Sequence, residues 1–335
     1  MPPMTLSRTE LFPGFSVSAQ GFGGMALTDV YGGIDDEQAL ATLNHAVDTG
    51  VTFIDTADVY GAGSNEQLIS RLLRDRRSEV ELATKFGIEG SPAQGYTGVR
   101  GDAGYVRAAA DSSLTRLKTD VIDLYYMHRR DTRVPIEETV GAMAELVADG
   151  KVRHLGLSEV TASELRAACA VHPIAAVQSE WSIWSRDVEA RVVPAAAELG
   201  VGFVPYSPLG RGFLTGTIQA ATLKEGDFRH RVPRFGGDAL EANAAVVEAV
   251  QSVAQESGAT PAQVALAWLA SQGRRFGLPV VPIPGTRRPE RIDENAGAAV
   301  VVLSESNLDV LDAAAALVVG ERSADPKWVS KGRES

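Results

Sequence analysis

The sequence predicts the α/β class and a (β/α)8 TIM barrel, with an N-terminal β-hairpin and extra C-terminal helices. Three observations lead there. Eight short apolar runs each precede at least one helical pattern. The runs are almost continuously apolar, as strands buried on both faces of a parallel sheet must be. Polar residues stand where the runs stop, and barrels of this class gather their chemistry at C-terminal strand ends. An open doubly wound sheet is the competing arrangement. It is disfavoured because no Gly-x-Gly-x-x-Gly turn follows an early strand.

The elements follow in order. Residues 5–18, with Pro13-Gly14 at the centre, read as the hairpin, and 18–24 as a small first strand. Asp35, Asp36 and Glu37 open a helix, where acids suit the dipole, and Gly50 ends it. Strand 51–54 follows, then a helix capped by Ser64 or Asn65. Strand 80–85 leads into a glycine-rich loop, 87–104, and helix 103–118. Strand 121–127 precedes helix 136–149; strand 152–157 precedes helix 161–170; strand 174–177 precedes helix 187–199. Strand 201–204 opens into an irregular stretch, 208–240, before helices at 240–257 and 261–272. The last strand, 279–283, is followed by helices near 288–297 and 304–319. The polar tail after Gly320 is expected to be loose.

Length alone would allow two domains, but no linker divides the 335 residues. A net charge of −11 denies the chain the electrostatic footprint of a nucleic-acid binder. Cys169 is the lone cysteine, so no internal disulfide forms, which fits a reducing compartment. No apolar run approaches the ~18 residues of a membrane helix, and the N-terminus lacks an apolar signal core. The expectation is a soluble cytoplasmic protein without a membrane role. Neither a Cys/His spacing nor another metal-ligand cluster is present, so no metal is expected.

The strand ends carry Asp55, Lys85, His128, Ser158, Gln178, Tyr206 and Gly285, and Tyr60 sits in the loop after Asp55. Singly, Asp55 reads as a cap or loop ion pair, Tyr60 as a packing residue and His128 as structural. Lys85 is more telling, because a buried ammonium needs a partner and Asp55 is the natural one. Jointly they make a proton-delivery site. A nearby ammonium lowers the pKa of a tyrosine from about 10; Asp55 keeps Lys85 charged; His128 orients a carbonyl oxygen. A nucleophile is missing, and a hydride from a bound cofactor would supply it.

These residues and several further motifs resemble the aldo-keto reductases over nearly the full chain. The matches are Phe53-Ile54-Asp55-Thr56-Ala57 with Tyr60-Gly61 and Glu66, Thr84-Lys85, and Ile122-Asp123-Leu124-Tyr125 with His128. They continue with Gly150-Lys151-Val152-Arg153, Gly156-Leu157-Ser158, Gln178-Ser179-Glu180, Pro205-Tyr206-Ser207-Pro208-Leu209, and Ile283-Pro284-Gly285-Thr286 with Arg291 and Glu294-Asn295. The run Leu209 to Gly216 looks most like the branch holding bacterial and plant reductases and the potassium channel β-subunit relatives.

The resemblance implies one barrel over 1–320 that binds NADP(H) across the strand mouths, followed by a polar tail, 321–335. It makes Asp55, Tyr60, Lys85 and His128 the catalytic tetrad. It gives Ser158 and Gln178 to the nicotinamide carboxamide, Tyr206 to the nicotinamide ring, and Ser207, Leu209 and Arg211 to the pyrophosphate. Thr286, Arg287 and Arg291 fall at the adenosine 2′-phosphate, beside Gly285, and Glu294 and Asn295 at the adenine. Guanidinium groups favour phosphate oxygens, and a helix start points its positive end the same way. NADP(H) is therefore expected over NAD(H).

Two departures stand out. Glu159 occupies the place of a usual asparagine and is left out of the site, since an acid cannot donate to a carboxamide. Gly285 stands where many relatives have lysine, with Arg287 as the replacement charge. For the aldehyde or ketone substrate, the expected pocket residues are Met25, Tyr31, Val59, the 87–104 loop and Trp181 with Trp184. The two tryptophans could equally form a helix's core face. The rival function is a cofactor-binding redox-sensing subunit acting through a protein partner; a non-redox isomerase is a more distant third.

Overall fold

The structure, a computed structural model, describes residues 6–91, 95–218, 223, 227–236 and 238–334. The chain begins with an antiparallel hairpin, β1 (Arg8–Phe12) and β2 (Phe15–Ser18). The barrel strands are β3 (Phe22–Gly23), β4 (Phe53–Asp55) and β5 (Glu81–Phe86), then, after an outlying hairpin β6 (Ile88–Ser91) and β7 (Gly95–Val99), β8 (Ile122–Met127), β9 (Val152–Ser158), β10 (Ile174–Glu180) and β11 (Gly202–Tyr206). They pair in parallel in the order β11-β10-β9-β8-β5-β4-β3. The crossover helices are α1 (Asp36–Asp48), α2 (Ser64–Arg76), α3 (Ala103–Leu117), α4 (Ile136–Ala148), α5 (Ala162–Val171) and α6 (Val192–Leu199). A short α7 (Ala239–Ala242), α8 (Ala244–Ser257), α9 (Pro261–Phe276), α10 (Pro289–Ala296) and α11 (Glu305–Ala315) complete the chain.

The predicted eighth strand closes the barrel, although it does not form a full ladder. Val281 N donates to Phe203 O (2.9 Å) and Ile283 N to Pro205 O (3.1 Å), which ties the segment to β11. On its other side Gly21 N donates to Pro282 O and Gly23 N to Pro284 O, which ties it to β3. Pro282 and Pro284 have no N–H to return on that side, so half of the ladder is missing by composition.

Period-2 alternation fills the barrel and arms its mouth. Phe53, Ala83, Leu124, Ala176 and Val204 point inward and form one buried cluster with Val281 and Ile283. Each fully buried side chain of the size of Phe53 contributes about 1.5–3 kcal/mol. Two residues further along each strand, the same parity delivers Asp55, Lys85, Tyr126, Gln178 and Tyr206. The hairpin plugs the opposite end with Leu11, Phe15 and Val17. Leu11 lies so close to β11 that a Cβ on Gly202 would come within 2.4 Å of it. The second cluster, between strands and helices, carries Leu43, Leu72, Val140 and Trp268 among others.

Some local expectations need correction. Neither Ser64 nor Asn65 caps α2; its N-cap is Gly63 in the left-handed region. Asn65 is buried instead, accepting from Thr56 Oγ1 (2.6 Å) and donating to Gly24 O (3.0 Å), so it staples two strand mouths. The 87–104 loop contains the β6–β7 hairpin. Helix 187–199 is a 3-10 turn, Asp187–Ala190, followed by the shorter α6. The tail after Gly320 is not loose: Arg322, Val329 and Ser330 are buried. No helix among the described residues is long and apolar enough to cross a membrane.

Candidate active site

A cavity of 840 Å3 opens at the C-terminal strand ends, inside the ~300–1,000 Å3 usual for small-molecule sites. At its floor Lys85 Nζ lies 2.5 Å from Asp55 Oδ1 and donates to Thr56 O at 2.8 Å. Gln178 Nε2 donates to the other carboxylate oxygen at 2.9 Å, so Asp55 is fixed from both sides. Burial pushes the Asp55 carboxyl up and the Lys85 ammonium down, and each partner's charge opposes the other's shift. Lys85 Nζ stands 5.1 Å from the Tyr60 ring centroid. The Tyr60 and His128 rings meet edge to face at 5.8 Å and 82°. Asp55, Tyr60 and His128 line the cavity, and Lys85 sits behind them, fully buried.

The electrostatics differ from expectation in one respect. Burial, with the Asp55 charge adding, holds the Tyr60 hydroxyl well above its ordinary value, and the opposing cation is Arg129. Lys85 spends its charge on Asp55 and Thr56 O. Tyr60 is thus a firmly protonated phenol, the form that has a proton to give. Burial, aided by Arg129 and Lys85, holds His128 well below its usual value, so its ring is neutral, and its buried Nδ1 has no partner among the described residues.

Away from the floor the cavity is a polar cradle. The turn 207–216 folds through positive φ at Ser207, Gly210, Arg211, Gly212 and Gly216. Arg211 ion-pairs with Glu180 at 3.0 Å. At the mouth, α10 starts without a side-chain cap, beside Thr286, Arg287 and Arg288. Arg287 donates to Gly32 O (2.7 Å), and Arg291 pairs with Glu294. Gly285 has no room for a side chain: a Cβ would lie 2.4 Å from Gly23 O. A lysine there is sterically excluded. Backbone turns, the Thr286 hydroxyl and several guanidiniums are a donor set that fits a phosphate-bearing dinucleotide.

The model of the Aldo/keto reductase family matches residues 20–316. The chain belongs to the aldo/keto reductase family. It is 45% identical over 299 residues to a probable aldo-keto reductase 1 of Glycine max, covering 88% of this chain and 84% of that one. A glycerol dehydrogenase of Gluconobacter oxydans superposes with a TM-score of 0.83 at 27% identity, over 97% of this chain and 99% of that one. An aldo-keto reductase of Bacillus halodurans in its holo form gives 0.76 at 25% identity, over 96% and 100%. A thermostable aldo-keto reductase solved with the inhibitor epalrestat gives 0.73 at 29%, over 92% and 100%.

On this aldo/keto reductase barrel, each residue expected at a cofactor lines the one cavity: Ser158, Gln178, Tyr206, Ser207, Leu209, Arg211, Gly285, Thr286, Arg287, Arg291, Glu294 and Asn295. Met25 and Tyr31 line it too, as do Ile88 and Tyr96 of the β6–β7 hairpin. Val59 and Trp181 do not. Val59 packs with Ala57 and Ile88. Trp181, with no exposed surface, meets Phe203, Trp268 and Phe276 edge to face and donates to Glu189. Trp184 is also core, stacked on Phe213. Both tryptophans are packing residues, though they lie in the turn between β10 and Asp187 and not on the face of a helix.

The sequence reading missed a buried network beside the cavity. Glu159, at φ 51°, accepts from Arg322 Nη1 (2.8 Å) and Nη2 (3.0 Å), Tyr206 Oη (2.7 Å) and Ser330 N (2.9 Å). Burial pushes its carboxyl up, but the Arg322 charge and hydrogen bonds overcome this and hold it well below the usual range. Arg322 also grips Asp187. The tail so pinned brings Trp328 and Val329 to the cavity wall, opposite Tyr96, which stacks on Trp328 at 5.7 Å. The acid after Ser158 was the one visible signal of this network.

Proposed function

We propose that this aldo/keto reductase is an NADPH-dependent reductase of aldehydes or ketones. The observation that carries the proposal is the convergence of Asp55, Lys85, Tyr60 and His128 on the floor of a cavity whose far end holds Arg287, Arg288 and Arg291. When bound, a nicotinamide cofactor supplies the reducing equivalent that no side chain here can. Tyr60 gives its phenolic proton to the carbonyl oxygen, and the neutral His128 ring orients that oxygen. Lys85, held charged and aimed by Asp55, lies 5.1 Å from the Tyr60 ring centroid, and Arg129 is the cation that favours the phenolate left behind.

In this reading Ser158 and Gln178 hold the carboxamide, and Tyr206, its hydroxyl fixed by Glu159, offers a flat face to the nicotinamide ring. Ser207, Leu209 and Arg211 take the pyrophosphate. Thr286, Arg287 and Arg291 take the 2′-phosphate, with Glu294 and Asn295 at the adenine. Residues 1–320 work as one NADP(H)-binding unit, and the tail 321–335 completes the pocket wall. The free thiol of Cys169 fits work in the reducing cytoplasm. The test is a fluorescence titration with NADPH followed by turnover across an aldehyde panel. Saturable binding with turnover is expected. Binding without turnover on any member would contradict the proposal and favour a cofactor-sensing regulatory subunit.

A further inference from the structure

One cation at the carbonyl end of the cavity has no carboxylate within ion-pair distance among the described residues. Arg129 follows His128 at the end of β8 and lines the cavity. Its Nη1 donates to His128 O (2.7 Å) and to Ser158 Oγ (3.3 Å). Its Nε is buried and has no hydrogen-bond partner among the described residues. Its guanidinium carbon stands 5.4 Å from the Trp328 ring centroid and 6.0 Å from that of Tyr206, so two aromatic faces hold it. Other arginines around the cavity have carboxylates: Arg211 has Glu180, Arg229 has Asp227, and Arg322 has Glu159 and Asp187. Among the described residues, the bonds that Arg129 makes are to neutral oxygens.

With Nη1 bonded and Nε buried, Nη2 is the guanidinium nitrogen left for a ligand. A guanidinium N–H with full positive charge behind it makes a charge-assisted hydrogen bond to a carboxylate oxygen. Its charge also reaches the reacting group, since it opposes the upward shift at Tyr60. In a chain of net charge −11, a guanidinium with no ion pair at the floor of a cleft attracts anions.

We propose that Arg129 binds a carboxylate on the carbonyl substrate, so that the protein prefers aldehydes or ketones bearing an acid group a few atoms from the carbonyl, with Trp328 and Tyr96 covering the body between. This rests on the reductase reading above. The carboxylate, anchored beside His128, presents the carbonyl to Tyr60 in a fixed pose, which is a positioning effect on kcat/KM.

The experiment compares 4-carboxybenzaldehyde with the uncharged 4-carbamoylbenzaldehyde at saturating NADPH, in the wild type, Arg129→Gln and Arg129→Lys. The wild type is expected to favour the acid by about tenfold or more in kcat/KM, the ratio falling to near one in Arg129→Gln and to an intermediate value in Arg129→Lys, which keeps the charge but loses the planar group held between the two rings. A titration of 4-(hydroxymethyl)benzoate into the NADP+-loaded protein should show binding about tenfold weaker in Arg129→Gln. A wild-type ratio near one overturns the proposal. So does an unchanged ratio in Arg129→Gln with a raised Kd for NADPH, which would make Arg129 a cofactor ligand. If the wild type turns over neither aldehyde, the reductase reading fails. Arg129-dependent binding of the benzoate would then still uphold the anion site, and Arg129-independent binding would overturn it.

Discussion

Arg322 grips Glu159 through both terminal nitrogens, at 2.8 and 3.0 Å, across 163 positions of sequence. The pair seals the C-terminal tail against the end of β9, and Tyr206 and Ser330 share the same carboxylate. Removing one partner of a buried ion pair leaves the other uncompensated, at about 3–5 kcal/mol. Glu159→Gln should therefore lower the unfolding free energy by about 3 kcal/mol, read from urea denaturation. The sign with pH follows from the depressed carboxyl. The stabilisation is fully present above the unfolded value of 4.5 and is lost as pH falls towards the folded one. A loss below about 0.5 kcal/mol would place the pair among inconsequential ones.

Lys85 and Asp55 should behave as a unit. Asp55→Asn strands a buried ammonium and is expected to cost about 3–5 kcal/mol. The double variant Asp55→Asn with Lys85→Met removes both charges and should recover most of that stability while leaving turnover abolished. Calorimetric melting and steady-state rates on the wild type, Asp55→Asn, Lys85→Met and the double variant check this. Additive destabilisation in the double variant would contradict the pairing.

Asp58 makes a pH-dependent prediction of opposite sign. Burial, with the Glu66 charge adding, pushes its carboxyl up to about 7, and Oδ1 has no partner among the described residues. Between its ordinary value of 3.8 and about 7 the folded protein holds a proton that the unfolded chain has lost. Stability therefore falls as pH rises through that window, and the penalty is complete above it. Asp58→Asn should stabilise by about 1–3 kcal/mol near pH 8, allowing for its partial exposure, and by nothing measurable near pH 4. The same gain at both pH values would contradict this.

Cofactor choice should rest on the arginines at the start of α10. Arg291→Ala is expected to raise the Kd for NADPH by about tenfold or more and to leave that for NADH nearly unchanged. Fluorescence titration with both cofactors decides it. Equal wild-type KM values for NADH and NADPH would contradict the preference.

The barrel was legible because its signals are local and repeated. Apolar runs ending in Asp55, Lys85, His128, Gln178 and Tyr206 share a parity that the closed sheet converts into a common mouth. What escaped the sequence depends on contacts between distant segments. Nothing near Arg322 or Trp328 marks them as cavity residues until Glu159 draws the tail across. Trp181 and Val59 follow polar strand ends and so resemble pocket residues, yet their packing partners, Trp268 and Ile88, come from other elements. For Tyr60, proximity to an ammonium predicts a lowered pKa, but burial, with the Asp55 charge adding, raises it instead.

The central claim is that Tyr60 delivers the proton to the carbonyl oxygen, and Tyr60→Phe tests it most directly. The measurement is NADPH-dependent reduction of 4-nitrobenzaldehyde beside the Kd for NADPH. The account predicts a fall in kcat of at least about 100-fold with the Kd unchanged. Undiminished turnover by Tyr60→Phe would contradict it.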